Sequence, residues 1–208
     1  MNGETAATAA GLSGNAEATT TATATTNVGT AAITAGAGTL AATNYDFTNL
    51  VNGTLTINRA HLTVTAGDAS RLYGSANPTF TTTLSGFVNG ETAATAAGLS
   101  GSGNAITAAA TTTIVGNVAI TAGAGTFTAA NYDFTNLVDG TLTINRAPLT
   151  GITANVTKVY DGQSYSGGGG VTFLGFVHGD DSRVLTGNLS YAGSSQESTV
   201  TSAIGSPS

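Results

Sequence analysis

NYDFTNLVNGTLTINRA, running from Asn44 to Ala60, returns as NYDFTNLVDGTLTINRA from Asn131 to Ala147, with Asn52 exchanged for Asp139 as the only change. A copy of this length marks a repeated structural or functional unit. Its flanks repeat too: NGETAATAAGLSG at Asn2 recurs at Asn89, and AITAGAGT at Ala32 recurs at Ala119. With a shift of 87 residues, 45 of the 60 positions from Asn2 to His61 are identical. Within the quoted stretch, Asn52-Gly53 and Asp139-Gly140 are pairs that accept positive φ at both centres of a type I′ turn, which predicts a β-hairpin in each copy. Tyr45 and Phe47 then share one strand face, Leu55 and Ile57 share one face of the next, and Thr54 and Thr56 point to solvent, where threonine suits a strand.

Beyond Pro148 the copy becomes approximate. LTVTAGDASRLYG from Leu62 is echoed by LTGITANVTKVYDG from Leu149, and LSGFVNGE from Leu84 by FLGFVHGD from Phe173. The chain therefore divides into residues 1–61, the closing part of a truncated module; 62–147, a complete module; and 148–208, the opening part of a divergent third. Met1 stands where the next copy has Val88 within GFVNGE, which predicts that it is an internal valine of a longer array, with further modules encoded upstream. On that expectation the lack of an apolar leader before the repeats is unsurprising.

Alternation of β-branched residues bounded by glycine or asparagine dominates the chain, as in TFTTTLSGF from Thr79 and TIVGNVAIT from Thr113. One exception is the alanine-rich GETAATAAG from Gly90 to Gly98, which predicts a short helix closed by Gly98. A repeat of 87 residues is too long for the coil of a β-helix and points to separate domains. The expected fold is all-β, as tandem small Ig-like β-sandwich modules. The alternative is β-grasp-like modules with the short helix.

Charged residues make up 8% of the chain, against about a quarter in an ordinary soluble domain. A net charge of −6, with Lys158 as the single lysine and four arginines, offers no basic stripe for phosphates, so nucleic acid is excluded as an expected partner. The absence of cysteine removes disulfides, thiol nucleophiles and cysteine zinc sites together. No apolar run approaches the roughly 20 residues of a membrane-spanning helix.

Candidate chemistry is sparse, and neither an enzyme nor a cofactor is expected. His61 and His178 are the only histidines, and His61 is replaced by Pro148 in the next copy, so no acid–base role recurs. Asp180 and Asp181, with Asp161 as a third carboxylate, form the one candidate calcium set; the competing reading is a solvated loop. Tyr73 and Tyr160, each followed by a glycine-bearing turn, are candidate sugar-stacking platforms. The plainer reading is a core tyrosine whose hydroxyl reaches a turn. SGGGGV from Ser166 lacks the GK[ST] of a phosphate loop and reads as a flexible connection. Because Lys158 is the only lysine, residues 62–147 cannot close an internal Lys–Asn isopeptide bond.

LTVTAGDASRLYGSANPTFTTTLSGFVNGETA at Leu62, with Tyr73-Gly74, resembles the MBG (mostly β, glycine-rich) domain, as does the closing NYDFTNLVDGTLTINRAPLT. PLTGITANVTKVYDG at Pro148, with Tyr160-Asp161-Gly162, resembles the YDG domain. Such modules are similar to those of large exported bacterial surface proteins of the filamentous-haemagglutinin type. The resemblance implies repeats of an extracellular adhesin stalk at the cell surface. Its expected partners are neighbouring modules, with a host glycan or surface protein as the alternative should the modules themselves bind.

Overall fold

The computed structural model describes residues 3, 5, 9–160, 162, 169–189 and 202–203. The described chain is almost entirely β. Its strands are β1 (Glu17–Thr19), β2 (Gly29–Gly36), β3 (Gly53–Ile57), β4 (Ala60–Ala66), β5 (Ala69–Leu72), β6 (Thr82–Ser85), β7 (Asn104–Ile106), β8 (Gly116–Gly123), β9 (Tyr132–Val138), β10 (Gly140–Asn145), β11 (Thr150–Thr153), β12 (Val171–Leu174), β13 (Asn188–Leu189) and β14 (Ser202–Ala203). Among the described residues a single 3₁₀ turn covers Ser182–Val184.

The chain forms two compact units, and neither follows the repeat boundaries. One comprises Met1–Ala66, Thr81–Asn104 and Ala122–Val138; the other comprises Gly67–Phe80, Ala105–Thr121 and Asp139–Ser208. Residues 62–147 contribute to both. The first unit holds the sheets β1-β2-β3 and β6-β4-β9, while β5-β10-β8-β7, β11-β12 and β13-β14 lie mainly in the second.

Two strand pairs explain this division. β4 and β5 form one stretch of chain broken only at Gly67-Asp68, and β9 and β10 form another broken only at Asp139. β4 pairs with β9 in parallel, Val64 opposite Leu137, and with β6 antiparallel. β5 pairs with β10 in parallel, Leu142 opposite Ala69, and β10 pairs with β8 antiparallel. Each stretch thus changes sheet at its break. Asp68 Oδ1 accepts the Thr141 N–H at 2.7 Å, so the break after β4 is tied to the start of β10.

The expected hairpin at Asp139-Gly140 is therefore wrong. β9 and β10 do not pair with each other, and neither Asn52-Gly53 nor Asp139-Gly140 has the positive φ that a type I′ turn demands. An Asp-Gly pair permits that turn without requiring it, and the parallel partners β4 and β5 hold the chain extended. The expected helix at Gly90–Gly98 is also absent. The segment forms turns in which the Thr92 N–H donates to Thr95 Oγ1 at 2.8 Å, so a threonine side chain takes up a backbone donor. Only one helical bond, from Ala96 N–H to the Thr92 carbonyl, survives, although Gly98 does end the segment at φ +66°.

Alternation places the core. Along β10, Leu142 and Ile144 are buried, as are Ile120 and Ala122 of β8. In the first unit Leu62 of β4, Ala96 and Tyr132 of β9 pack together, with Leu84, Phe87 and Phe134 around them. Phe87 meets the Tyr132 ring edge-on at 5.7 Å. Full burial of each large aliphatic side chain stabilises the fold by about 1.5–3 kcal/mol.

The incomplete repeats keep part of this plan. β1, β2 and β3 occupy the positions of β7, β8 and β10 one repeat earlier, whereas residues 45–51, identical in sequence to β9, form no strand. In the third repeat β11 pairs with β12 as β4 pairs with β6, Thr150 opposite Leu174 matching Thr63 opposite Ser85.

Candidate functional site: the joint between repeats

The turn GFVNGE in the second repeat and its echo GFVHGD in the third have the same backbone. Glu91 N–H donates to the Val88 carbonyl at 3.0 Å, and Asp180 N–H to the Val177 carbonyl at 3.0 Å. Asn89 (φ 55°) and His178 (φ 57°) are the two described non-glycine residues in the left-handed region, each followed by a glycine at positive φ. Asparagine and histidine are among the side chains that tolerate that region best.

Both turns reach the preceding repeat. In the second unit, Tyr73 N–H donates to the Asn145 carbonyl at 2.8 Å, which fixes the end of β5 beside β10. The Tyr73 ring then meets His178 edge-on at 5.9 Å. A hydrogen bond to Asp180 raises the Tyr73 pKa above the usual tyrosine value, with burial and the Asp180 charge adding to the rise. Gly74 has φ +87°, and a β-carbon there would stand 2.6 Å from Val177 Cγ2. Glycine at this position thus permits both the turn and the close approach of the next repeat. An open cleft of about 380 Å³, lined by Tyr73, Arg146, Leu149, Phe176 and Val177 among others, lies at this joint.

In the first unit the equivalent turn is held by different atoms. Asn89 Nδ2 donates to the Ala24 carbonyl at 2.9 Å, Asn131 Nδ2 to Asn27 Oδ1 at 2.9 Å, and Val28 N–H to Asn131 Oδ1 at 3.1 Å. Tyr132, buried in the core, donates its hydroxyl to Glu91 Oε2 at 2.5 Å and accepts the Val88 N–H at 3.2 Å. Burial raises the Tyr132 pKa, as does the Glu91 bond, against a smaller lowering by the Val88 backbone. The matching cleft is about 230 Å³. Val28, Ala60, Val88 and Glu91 line it where Val115, Ala147, Val177 and Asp180 line the other, so the joint recurs with the repeat.

The residues singled out in the sequence fall as follows. His61 Nδ1 lies 2.7 Å from Asp133 Oδ1, across the β4–β9 pair, and the hydrogen bond from His61 lowers the Asp133 pKa. Thr135 Oγ1 contacts the same ring nitrogen at 3.3 Å and donates to Asp133 at 2.9 Å. Two groups thus address one nitrogen across the β4–β9 strand pair. Of the calcium candidates, Asp180 faces Tyr73, whereas Asp181 clasps the Arg183 guanidinium with contacts of 2.6–3.0 Å. That clasp, with the Arg183 backbone N–H, lowers the Asp181 pKa to about 2. Asp161 lies outside the described residues. Among the described residues no three His, Asp or Glu side chains converge to hold a metal ion. Tyr160 is fully exposed, unlike Tyr73.

Sequence reasoning gave Arg71 no role. Buried in β5, it donates from Nε to Asn77 Oδ1 at 2.7 Å and from Nη2 to the Ala110 carbonyl at 2.5 Å, while Asn77 Nδ2 donates to the Ala109 carbonyl at 2.7 Å. Its position on the inward face of ASRL was the available signal.

Residues 62–143 match the family model of the MBG domain, YGX type. An MBG domain spans this segment. Tyr73-Gly74-Ser75 reads as the Y-G-X of that description, and in the structure Tyr73 and Gly74 meet His178 and Val177 of the next repeat. The matched MBG segment begins in β4 and ends in β10, so it contains both sheet-changing stretches. Comparison with curated proteins and with solved structures finds no match.

Proposed function

We propose that the chain is a run of structural stalk repeats from an extracellular bacterial adhesin, spacing a distal binding region from the cell surface, and that it carries out no catalysis. The observation that carries this reading is the parallel pairing of the opening and closing strands of the MBG domain. In the sheet β6-β4-β9 the chain enters on β4 and leaves on β9 at the opposite end; in β5-β10-β8-β7 it enters on β5 and leaves on β10 at the opposite end. Parallel first and last strands carry the chain forward, whereas an antiparallel pair would return it to its entry point. The recurring GFV-turn joint, and membership of the MBG segment in a repeat family often found in bacterial surface proteins, support the same reading. No helix among the described residues is long and apolar enough to cross a membrane.

The finer proposals follow from this one. Each module is a small Ig-like sandwich, a reading supported by its length and its many short strands of alternating β-branched residues. Residues 148–208 are the opening of a YDG-type module, and the parent is of the filamentous-haemagglutinin type. Stability and length then add up module by module. Rotary-shadowed electron microscopy of proteins with one, two and three inserted 87-residue repeats tests the stalk: length should rise by a constant increment, and an unchanged length overturns it. The clefts at the two joints favour the rival reading of repeated weak binding sites acting by avidity. Specific binding of the chain on glycan and host-protein arrays would establish that rival.

A further inference from the structure

Asn52 and Asp139 are the single difference between the two copies of the repeated stretch, and each precedes a glycine. The backbone beside them has one frame. Gly53 stands opposite Ile33 across β2 and β3 as Gly140 stands opposite Ile120 across β8 and β10. Asn52 and Asp139 are both exposed. Asn52 Oδ1 accepts the Ala35 N–H at 3.0 Å. That donor requires only an oxygen, and a carboxylate accepts such a bond more strongly than an amide does. The amide nitrogen Nδ2 of Asn52 has no protein acceptor among the described residues, so its loss would remove no hydrogen bond.

We propose that Asn52 is a site of spontaneous deamidation, at which the chain converts its own asparagine to a carboxylate. The Gly53 backbone nitrogen, after giving its proton to hydroxide, attacks Asn52 Cγ. The new N–C bond closes a succinimide ring as the Cγ–Nδ2 bond breaks, and the amide nitrogen leaves as ammonia with a proton from water. Water then opens the ring. Breaking its bond to Cγ restores the main chain with aspartate at position 52; breaking its bond to the backbone carbonyl carbon routes the main chain through Cγ as isoaspartate. No oxidant or reductant is required. Glycine favours the attack because it has no β-carbon to crowd its nitrogen. The aspartate product is the residue that position 139 already carries in the same frame, so this fold accepts it. Asn89-Gly90 is the internal contrast. Asn89 Nδ2 donates to the Ala24 carbonyl at 2.9 Å, so conversion there would lose a hydrogen bond and set a carboxylate against a carbonyl oxygen. With age, the first copy of the stretch thus gains the negative charge that the second copy is built with.

The test is peptide mapping by mass spectrometry of the full chain, aged at mildly acidic and at mildly alkaline pH. Asn52 should show the mass change of an amide becoming an acid, divided between aspartyl and isoaspartyl forms. Conversion should be faster at the alkaline pH, because the attacking nitrogen must lose its proton, and several-fold faster at Asn52 than at Asn89. Hydroxylamine, which cleaves succinimides, should cut the aged chain between Asn52 and Gly53. Gly53→Ala should slow conversion at Asn52 several-fold and leave the rate at Asn89 unchanged. That variant fits the fold: Gly53 is not among the glycines at positive φ, and an added β-carbon would meet Ile33 Cβ at 3.5 Å, an ordinary contact. An Asn52 that keeps its amide, equal or faster conversion at Asn89, or a Gly53→Ala chain that converts as fast as the unmodified one overturns the proposal.

Discussion

Tyr45 and Tyr132 sit in the same octapeptide, yet one is half exposed and the other holds the core of the MBG domain. Tyr132→Phe removes a hydrogen bond to a carboxylate and one from a backbone amide, and should lower stability in denaturant titration by about 1–2 kcal/mol. The same residue sets an alkaline limit. Burial and the Glu91 bond raise the Tyr132 pKa, so the folded state favours the protonated phenol. That contribution is complete below the unfolded value of about 10 and is lost as pH rises through the raised folded value. Stability measured from pH 8 to 12 should fall above about pH 10, and Tyr132→Phe should flatten the fall; an unchanged slope would mean that another group sets the limit. At this scale the sequence was legible in patches. Alternation marked Leu142 and Ile144 as inward, but Arg71 stood in an apolar register with no visible partner, because the Ala110 carbonyl it binds lies 39 residues away in the chain.

β9 shows why local sequence could not supply the elements in full. Eight residues, Asn44–Val51, are written again as Asn131–Val138, and only the second copy contains a strand. Intrinsic propensity is identical in the two, so the difference belongs to β4, which pairs with β9 in parallel from far away in the chain. The hairpin expectation at Asp139-Gly140 failed for the same reason: turn chemistry is local, whereas the parallel partners that keep the chain extended are not. The short helix failed on local chemistry that could have been weighted differently, since threonines at 92 and 95 compete for backbone donors. If β4 makes β9 a strand, weakening β4 should make residues 132–138 behave like 45–51. Thr63→Pro removes a backbone donor from the β4 ladder and should cut amide protection across 132–138 in hydrogen exchange to the level of 45–51, with β12 unaffected. Retained protection at 132–138 would show that the octapeptide is a strand in its own right, and that its first copy owes its different form to something other than a missing neighbour.

Across the whole molecule, two divisions of the chain compete. The repeat gives residues 62–147 as the unit, and the compact units cut through that segment after Ala66, Phe80, Asn104, Thr121 and Val138. The first and last cuts fall where β4 hands over to β5 and β9 to β10, and the cuts after Asn104 and Thr121 pass through β7 and β8, so any separate unfolding of the two units must divide both of those strands. The Asp68 bond to Thr141 ties the two breaks together within the second unit. Cooperativity should therefore follow the repeat. Residues 62–147 produced alone should lose their β circular-dichroism signal in one transition, with calorimetric and van't Hoff enthalpies equal. In the full chain, Leu142→Ala should lower the midpoint of that transition by an amount equivalent to about 2–5 kcal/mol, the cost of a cavity at a fully buried leucine. Leu55→Ala, the same change one repeat earlier at a half-buried site, should leave that transition in place. Two resolved transitions in the isolated segment, with Leu142→Ala shifting only one, would instead make the compact unit the folding unit. Modules would then depend on strands from their neighbours, and an array of them would unfold as a continuous body.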